Sequence, residues 1–273
     1  DYFLSIEEQL KGDVRFYFFR SNFDSFRQQD ENTFCIIHAN RQWLNNELVP
    51  SLREQNISEN VQFPYYFSPS YNFGNVEFYN FCLASFIYVS RQVFAVKQNI
   101  LDEGFQIMHG LQFLNSIKEN LFPQQEVKFQ VFLNYIFQCW IPYSYDNEHA
   151  KDTRELLKIK NRVIQNYSNF LLTNQAGILK LLEQRDSFFY SEQWVKILES
   201  IKSSISGLGE FPKYKDYLIN DSIVDGFKKS DFAFLKEYCF RVFSVLLISA
   251  EKIPFLIYVF RRLNKNESKP LVA

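Results

Sequence analysis

Residues 75–141 run NVEFYNFCLASFIYVSRQVFAVKQNILDEGFQIMHGLQFLNSIKENLFPQQEVKFQVFLNYIFQCWI, and their pattern decides the architecture. Three apolar runs are separated by two polar breaks. In the first run, only Asn80 and Ser85 are clearly polar between Phe78 and Val89. A helix that is apolar nearly all round belongs inside a protein. Asn75 can cap it, because its side-chain oxygen accepts a free backbone N–H of the first turn. Glu77 then complements the positive end of the helix dipole. Arg91, Gln92, Lys97 and Gln98 return the chain to solvent, and residues 99–103 read as a turn and restart.

The second run places Met108, Leu111, Leu114, Ile117 and Leu121 at spacings of three and four, a single helical stripe. Pro123 ends it, since a residue before proline is pushed out of helical geometry. The third helix is expected from about Gln125 to Ile141, with Pro142 as its stop. Its polar positions Glu126, Gln130, Asn134 and Gln138 recur every fourth residue and form one narrow seam. Such a seam is either the wet edge of a packed helix or a polar line facing a partner or a cavity.

Outward from this block, the whole chain has a helical composition. Hydrophobic residues are 47% and charged residues 22%, a globular balance that argues against disorder. Aromatics reach 18%, and phenylalanine carries much apolar surface with few rotors. Glycine is only 8 of 273 residues, against an ordinary usage of roughly 7%. Sheet turns and phosphate-cradling loops need glycine, and helices do not. The net charge of −1 provides no overall field toward nucleic acid or an anionic membrane. The chain begins at Asp1, which is expected of a fragment or a processed chain.

Ahead of the central block, VRFYFF at 14–19 is the best strand candidate, though so short a run does not separate strand from buried helix. Ser21 is expected to cap a short helix through Phe26. A helix is expected from Asn32 or Thr33, carrying Phe34, Ile37, Trp43, Leu44 and Leu48 and kinked or ended by Pro50. Residues 58–74 form a long loop with Tyr65, Tyr66, Phe67 and Tyr71. It reads as an aromatic plug over the core or as a docking patch whose tyrosine hydroxyls supply a polar handle.

After the central block, residues 143–147 mark a boundary. They divide the chain into an N-terminal helical subdomain, 1–142, and a C-terminal one, 143–273, unless the two close into one continuous domain. A helix with a capping-box-like start at Asp152 and Glu155 runs to about Leu172, with Leu156, Ile159, Val163, Tyr167 and Phe170 inward. Lys151, Arg154, Lys158 and Arg162 give it a basic outer face. A short apolar helix follows at 178–182. Ser191 opens another with Trp194, Leu198, Ile201 and Ile205 on one stripe, ended by Gly207 and Gly209. Ser230 is expected to cap the last long element, where Phe232, Leu235, Tyr238, Val242, Leu246 and Ser249 share a face until Pro254. Residues 242–260 hold Glu251, Lys252 and Pro254 at their middle, which suits two packed helices and not a membrane span.

No motif in the chain carries chemistry above chance. His38, His109 and His149 form no H-x-x-x-H pair, and a lone histidine on an apolar helix is usually a hydrogen-bonded core residue. Cys35, Cys82, Cys139 and Cys239 lie far apart in apolar patterns read as helical, as buried reduced thiols do. That cysteine usage suits an intracellular compartment, cytoplasmic or nuclear. Four N-x-S sequons start at Asn56, Asn166, Asn220 and Asn266, a number expected by chance here. The sequence predicts an all-α chain of about ten helices, as an irregular bundle or a HEAT- or armadillo-like solenoid. It predicts no metal site, no cofactor, no specific nucleic acid and no membrane span. The expected role is a non-enzymatic module binding other protein subunits, through Tyr65, Tyr66, Phe67 and Tyr71 and through Gln130, Asn134 and Gln138. Two alternatives remain open: a helical enzyme or carrier with an apolar pocket for a lipid-like ligand, and phosphate or nucleic-acid contact through the basic face.

Overall fold

The computed structural model describes residues 15–21, 32–54, 76–96, 103–144, 153–185, 187–207 and 229–266. The architecture is helical, and the described residues comprise eight helices and one hairpin. Strands β1 (Arg15–Ser21) and β2 (Asn32–His38) pair antiparallel, from Arg15 opposite His38 to Ser21 opposite Asn32. The strand reading of 14–19 therefore holds, and the helix expected from Asn32 or Thr33 does not. Thr33, Ile36 and Ile37 are β-branched and, with Phe34, suit a pleated ladder better than a helix. Cys35 lies on this strand. Ser21 is the last residue of β1, and residues 22–26 lie outside the described residues. The hairpin is tied to the helices through its own backbone: Ser90 Oγ accepts the Phe18 N–H at 2.8 Å and donates to the Phe18 carbonyl at 3.3 Å.

Helix α1 comprises Arg41–Trp43, Leu44–Leu48 and Val49–Glu54, with a π turn in the middle. Asn40 Oδ1 accepts the Gln42 N–H at 2.8 Å at its start. Pro50 lies inside this helix and does not end it. Proline has no N–H to give and crowds the turn before it, and the widened π turn is where that strain is taken up.

The central block folds as read, into α2 (Val76–Ala95), α3 (Glu103–Leu121) and α4 (Glu126–Trp140). Pro123 follows the end of α3, and the Gln125 N–H reaches back to the Phe122 carbonyl at 3.0 Å to close the turn. A 3₁₀ turn, Ile141–Ser144, carries Pro142 past the end of α4.

Helix α5 (Thr153–Glu183) is 31 residues long and takes in the short helix expected separately at 178–182. The intervening Thr173 and Asn174 look like breakers, but each spends its side chain on its own helix. Thr173 donates to the Asn169 carbonyl at 3.0 Å and Asn174 to the Phe170 carbonyl at 2.9 Å. Helix α6 (Glu192–Gly207) follows a 3₁₀ turn at Phe188–Tyr190, and Ser191 Oγ caps it by accepting the Trp194 N–H at 3.1 Å. Trp194, Leu198 and Ile201 are buried as the spacing required.

Helices α7 (Lys229–Val245) and α8 (Ile253–Asn266) close the chain. Ser230 lies within α7 and not ahead of it. The break between the two falls before Pro254. The Ile248 N–H bonds to Phe243 O and the Leu247 N–H to Ser244 O, a Schellman ending with Leu247 at φ 61°. Pro254 sits in the first turn of α8, where its missing N–H costs nothing. Among the described residues, no helix is long and apolar enough to cross a membrane.

Helix α3 packs against α5, α6 and α8, while α2 packs against β1, α6 and α7. One apolar cluster draws residues from both sides of position 142. Phe113 is its hub, with ring centroids 5.5 Å from Phe189, 6.2 Å from Trp194, 6.3 Å from Tyr238 and 5.3 Å from Phe243.

Candidate partner-binding surface

Among the described residues, two systems of polar side chains stand out, one inside and one outside. The inner system fixes the turn between α5 and α6. Ser116 Oγ donates to the Phe189 carbonyl at 3.1 Å and accepts the Trp194 indole N–H at 2.7 Å. The Tyr88 hydroxyl donates to the Phe188 carbonyl at 3.1 Å and lies 2.7 Å from Ser191 Oγ. At the rim, Asn115 Nδ2 donates to the Tyr190 hydroxyl and to Glu119, which pairs with Arg185 at 2.6 Å. The hydrogen bond to Glu119 raises the pKa of Arg185, and burial raises that of Tyr190. His109 is buried in the same region between Phe105 and Phe188, with centroids at 4.1 and 5.0 Å, and its Nδ1 makes no hydrogen bond there. These hydrogen bonds hold α2, α3 and α6 to one turn.

The outer system lies along α5. Its inner side packs on α8: Tyr167 meets Phe255 and Tyr258, and Phe170 meets Phe255. Only Leu171 and Ile178 of this helix are fully buried. Leu157, Leu172 and Leu179 are 53%, 69% and 38% exposed. At 3.6 residues per turn these leucines fall within an arc of about 60° and span ~33 Å. Arg154, Lys158 and Arg162 follow one another at intervals of four and are all exposed. They form a straight basic stripe on the same outer half of the helix. Among the described residues, no carboxylate pairs with Lys158 or Arg162.

The polar seam of α4 meets α5 at one point, on the inner side of that helix. Glu126 and Gln138 are exposed, and Gln130 and Asn134 are half-buried, so the seam runs along the surface. Lys118 pairs with Glu126 at 3.2 Å, and Gln130 Nε2 donates to Glu126 at 3.0 Å. At the far end, Lys160 of α5 donates to Gln138 Oε1 at 3.2 Å. Beside the seam, Val127 is 75% exposed. Tyr65, Tyr66, Phe67 and Tyr71 lie outside the described residues, as does Lys151.

The exposed leucines escaped the sequence reading, although a signal for them exists. Each is the second member of an apolar doublet: Leu156–Leu157, Leu171–Leu172, Ile178–Leu179. The first member follows the inward stripe, and the second is rotated about 100° onto the flank.

A groove of about 420 Å³ opens between α2 and α6, lined by Ala84, Glu192, Gln193, Lys196, Ile197 and Ser200. Its lip carries the Glu192–Lys196 ion pair at 2.6 Å. Among the described residues, no group of three or more histidine, cysteine or carboxylate side chains could hold a metal. Compared with known proteins, the chain matches no family model, no curated protein and no solved structure.

Proposed function

We propose that this chain is a non-enzymatic protein–protein interaction module, a scaffold or adaptor piece of a larger assembly, built as an irregular helical bundle or solenoid. The observation that supports the reading is the outer flank of α5, where Leu157, Leu172 and Leu179 stand in solvent on one side of one long helix. Exposed apolar residues scattered singly are normal, and it is a patch of them that marks a contact surface; Leu172 and Leu179, about two turns apart, are the nearest pair.

The test is affinity purification of the native full-length protein at its endogenous level, with quantitative mass spectrometry, for the wild type and for Leu172→Lys with Leu179→Lys. The expected result is one or two stoichiometric partners with the wild type and their loss from the variant, at an unchanged melting temperature. Lysine at exposed positions leaves the fold intact. A wild-type preparation without partners, or a variant that keeps them, overturns the reading.

A further inference from the structure

We propose that the junction of α4, α5 and α8 is a binding site for a phosphate group, held by Arg261 and Arg262. The site goes beyond the interaction-module reading and does not depend on it. Three observations carry it. First, two arginines fold back onto one aromatic pair. They stand three and four positions after Tyr258 on α8, one on each side of it. Arg262 Nε donates to the Tyr258 hydroxyl at 3.3 Å, and its guanidinium lies 5.4 Å from the centre of that ring. The Arg261 guanidinium lies 6.0 Å from the centre of the Phe137 ring of α4, and that ring packs on Tyr258 with centroids 6.1 Å apart. Ser168 of α5 bonds to the same Tyr258 hydroxyl, so all three helices meet at this cluster.

Second, nothing in the fold neutralises these cations. Helix α8 carries no carboxylate, and the one carboxylate of α4, Glu126, pairs with Lys118 at 3.2 Å. Among the described residues, no carboxylate pairs with Lys160, Arg261 or Arg262. Arg261 is half-buried, and burial, followed by the charge of Arg262, lowers its pKa against a smaller opposing effect of Tyr258. An arginine keeps its proton even so. Two like charges therefore stand side by side, one of them partly desolvated, and the fold supplies no anion to balance them.

Third, the donors suit a doubly charged oxyanion. A guanidinium fork bonds two oxygens of one phosphate at once, and two forks flank this spot. Lys160 of α5 donates at 3.2 Å to Gln138, the residue after Phe137, and adds a third cation at the edge. Such a charge set favours the dianion of a phosphate group over a single carboxylate, because attraction scales with the product of the charges.

The experiment uses the full chain. Inorganic phosphate is titrated by calorimetry at constant ionic strength, with acetate as the comparison anion. The proteins are the wild type, Arg261→Gln with Arg262→Gln, Arg262→Gln alone, and Lys158→Gln with Arg162→Gln. The wild type is expected to bind phosphate saturably and at least ~10-fold more tightly than acetate. The Arg261 and Arg262 double variant should lose at least ~10-fold in phosphate affinity. Arg262→Gln, at an exposed position that leaves the fold intact, should show a smaller loss in the same direction. The Lys158 and Arg162 variant should bind as the wild type does. Phosphate should also raise the melting temperature of the wild type and not that of the double variant. Sedimentation with phosphatidylcholine vesicles, with and without phosphatidic acid, separates the two sources of the group. Capture by the phosphatidic acid vesicles that phosphate competes away assigns a lipid head group; saturable phosphate binding without capture assigns a soluble phosphate ester, and either result supports the site. No saturable phosphate binding, acetate binding as tight as phosphate, unchanged affinity in Arg262→Gln, or an equal loss in the Lys158 and Arg162 variant overturns the proposal.

Discussion

Helices α3 and α5 touch each other and have opposite relations to the rest of the molecule. Helix α3 buries Gln106, Gln112 and Ser116 along with most of its apolar residues. Helix α5 is longer by more than half and buries only Leu171 and Ile178 fully. Their polar groups differ in the same sense. On α3, Asn115 and Ser116 bond across to Tyr190, Phe189 and Trp194. On α5, Gln165, Thr173 and Asn174 bond back along their own helix. An inner helix is held by what surrounds it. The outer one bonds across at two points, Lys160 to Gln138 and Ser168 to Tyr258, and leaves its far side exposed.

The largest effect that can break this comparison comes from two phenylalanines. Phe113→Ala removes a ring in contact with four others and should cost about 3–5 kcal/mol. Phe170 is 38% exposed, and its ring contact is with Phe255 at 5.0 Å. Phe170→Ala should therefore cost only about 1–2 kcal/mol, since partly buried apolar surface contributes in proportion to its area. Urea unfolding of both variants gives the two numbers. Similar losses would mean that α5 is as integral to the core as α3.

The sequence made one side of this contrast easy to read and the other hard. The central block was legible because its runs are long, nearly all apolar and bounded by Pro123 and Pro142. Helix α6 was legible because Trp194, Leu198 and Ile201 keep a clean stripe. Helix β-propensity conflicts defeated the reading at 32–38, where seven residues are too few for periodicity to arbitrate and pairing with 15–21 decides the outcome. The continuity of α5 was hidden because Thr173 and Asn174 act as breakers only when their side chains compete with the backbone. The clamp of Tyr88, Ser116 and Ser191 converges from distant parts of the chain, and no local pattern encodes it. Of the candidate site, the basic stripe and the seam were read as residues, but the seam's meeting with α5 through Gln138 and Lys160 was not. The aromatic loop at 58–74 lies outside the described residues.

pH sharpens the contrast next, because burial gives the interior a response that an exposed helix lacks. Cys82, Cys239 and Tyr238 sit where α2 meets α7, with the Tyr238 hydroxyl donating to Ser85 Oγ at 3.0 Å. Burial pushes all three well above their ordinary values of 9.0, 9.0 and 10.0, so the folded protein keeps them protonated. The unfolded chain releases the two thiol protons as pH rises past 9 and the phenol proton past 10. Stability is therefore complete below pH 9 and falls above it, by about 1.4 kcal/mol per pH unit for each group. Urea midpoints between about pH 8 and pH 11 should show the decline, and Cys239→Ala should make it shallower by one group's share whatever it does to the baseline. An unchanged slope would mean that the thiol is not held in its neutral form.

The smallest effect is the most discriminating, because one chemical change should act with opposite signs on the two helices. Adding a methyl at Gly110 of α3 would place it 2.6 Å from Leu256 Cδ1 and 3.0 Å from Ile248 Cδ1, both on buried side chains. Overpacking of this kind costs roughly 1–3 kcal/mol, against a helix-propensity gain of about 1 for alanine. Gly110→Ala should thus come out destabilising by roughly 1 kcal/mol. At Gly177 of α5 the same methyl meets nothing within 4 Å, so only the propensity gain remains, and Gly177→Ala should stabilise by about 1 kcal/mol. Melting temperatures should therefore move by about 2–4 °C in opposite directions. If Gly110→Ala also stabilises, α8 has room to retreat and α3 is less tightly enclosed than its burial implies. If Gly177→Ala does nothing, the end of α5 frays before global unfolding, and a partner would have to order that turn as it docks.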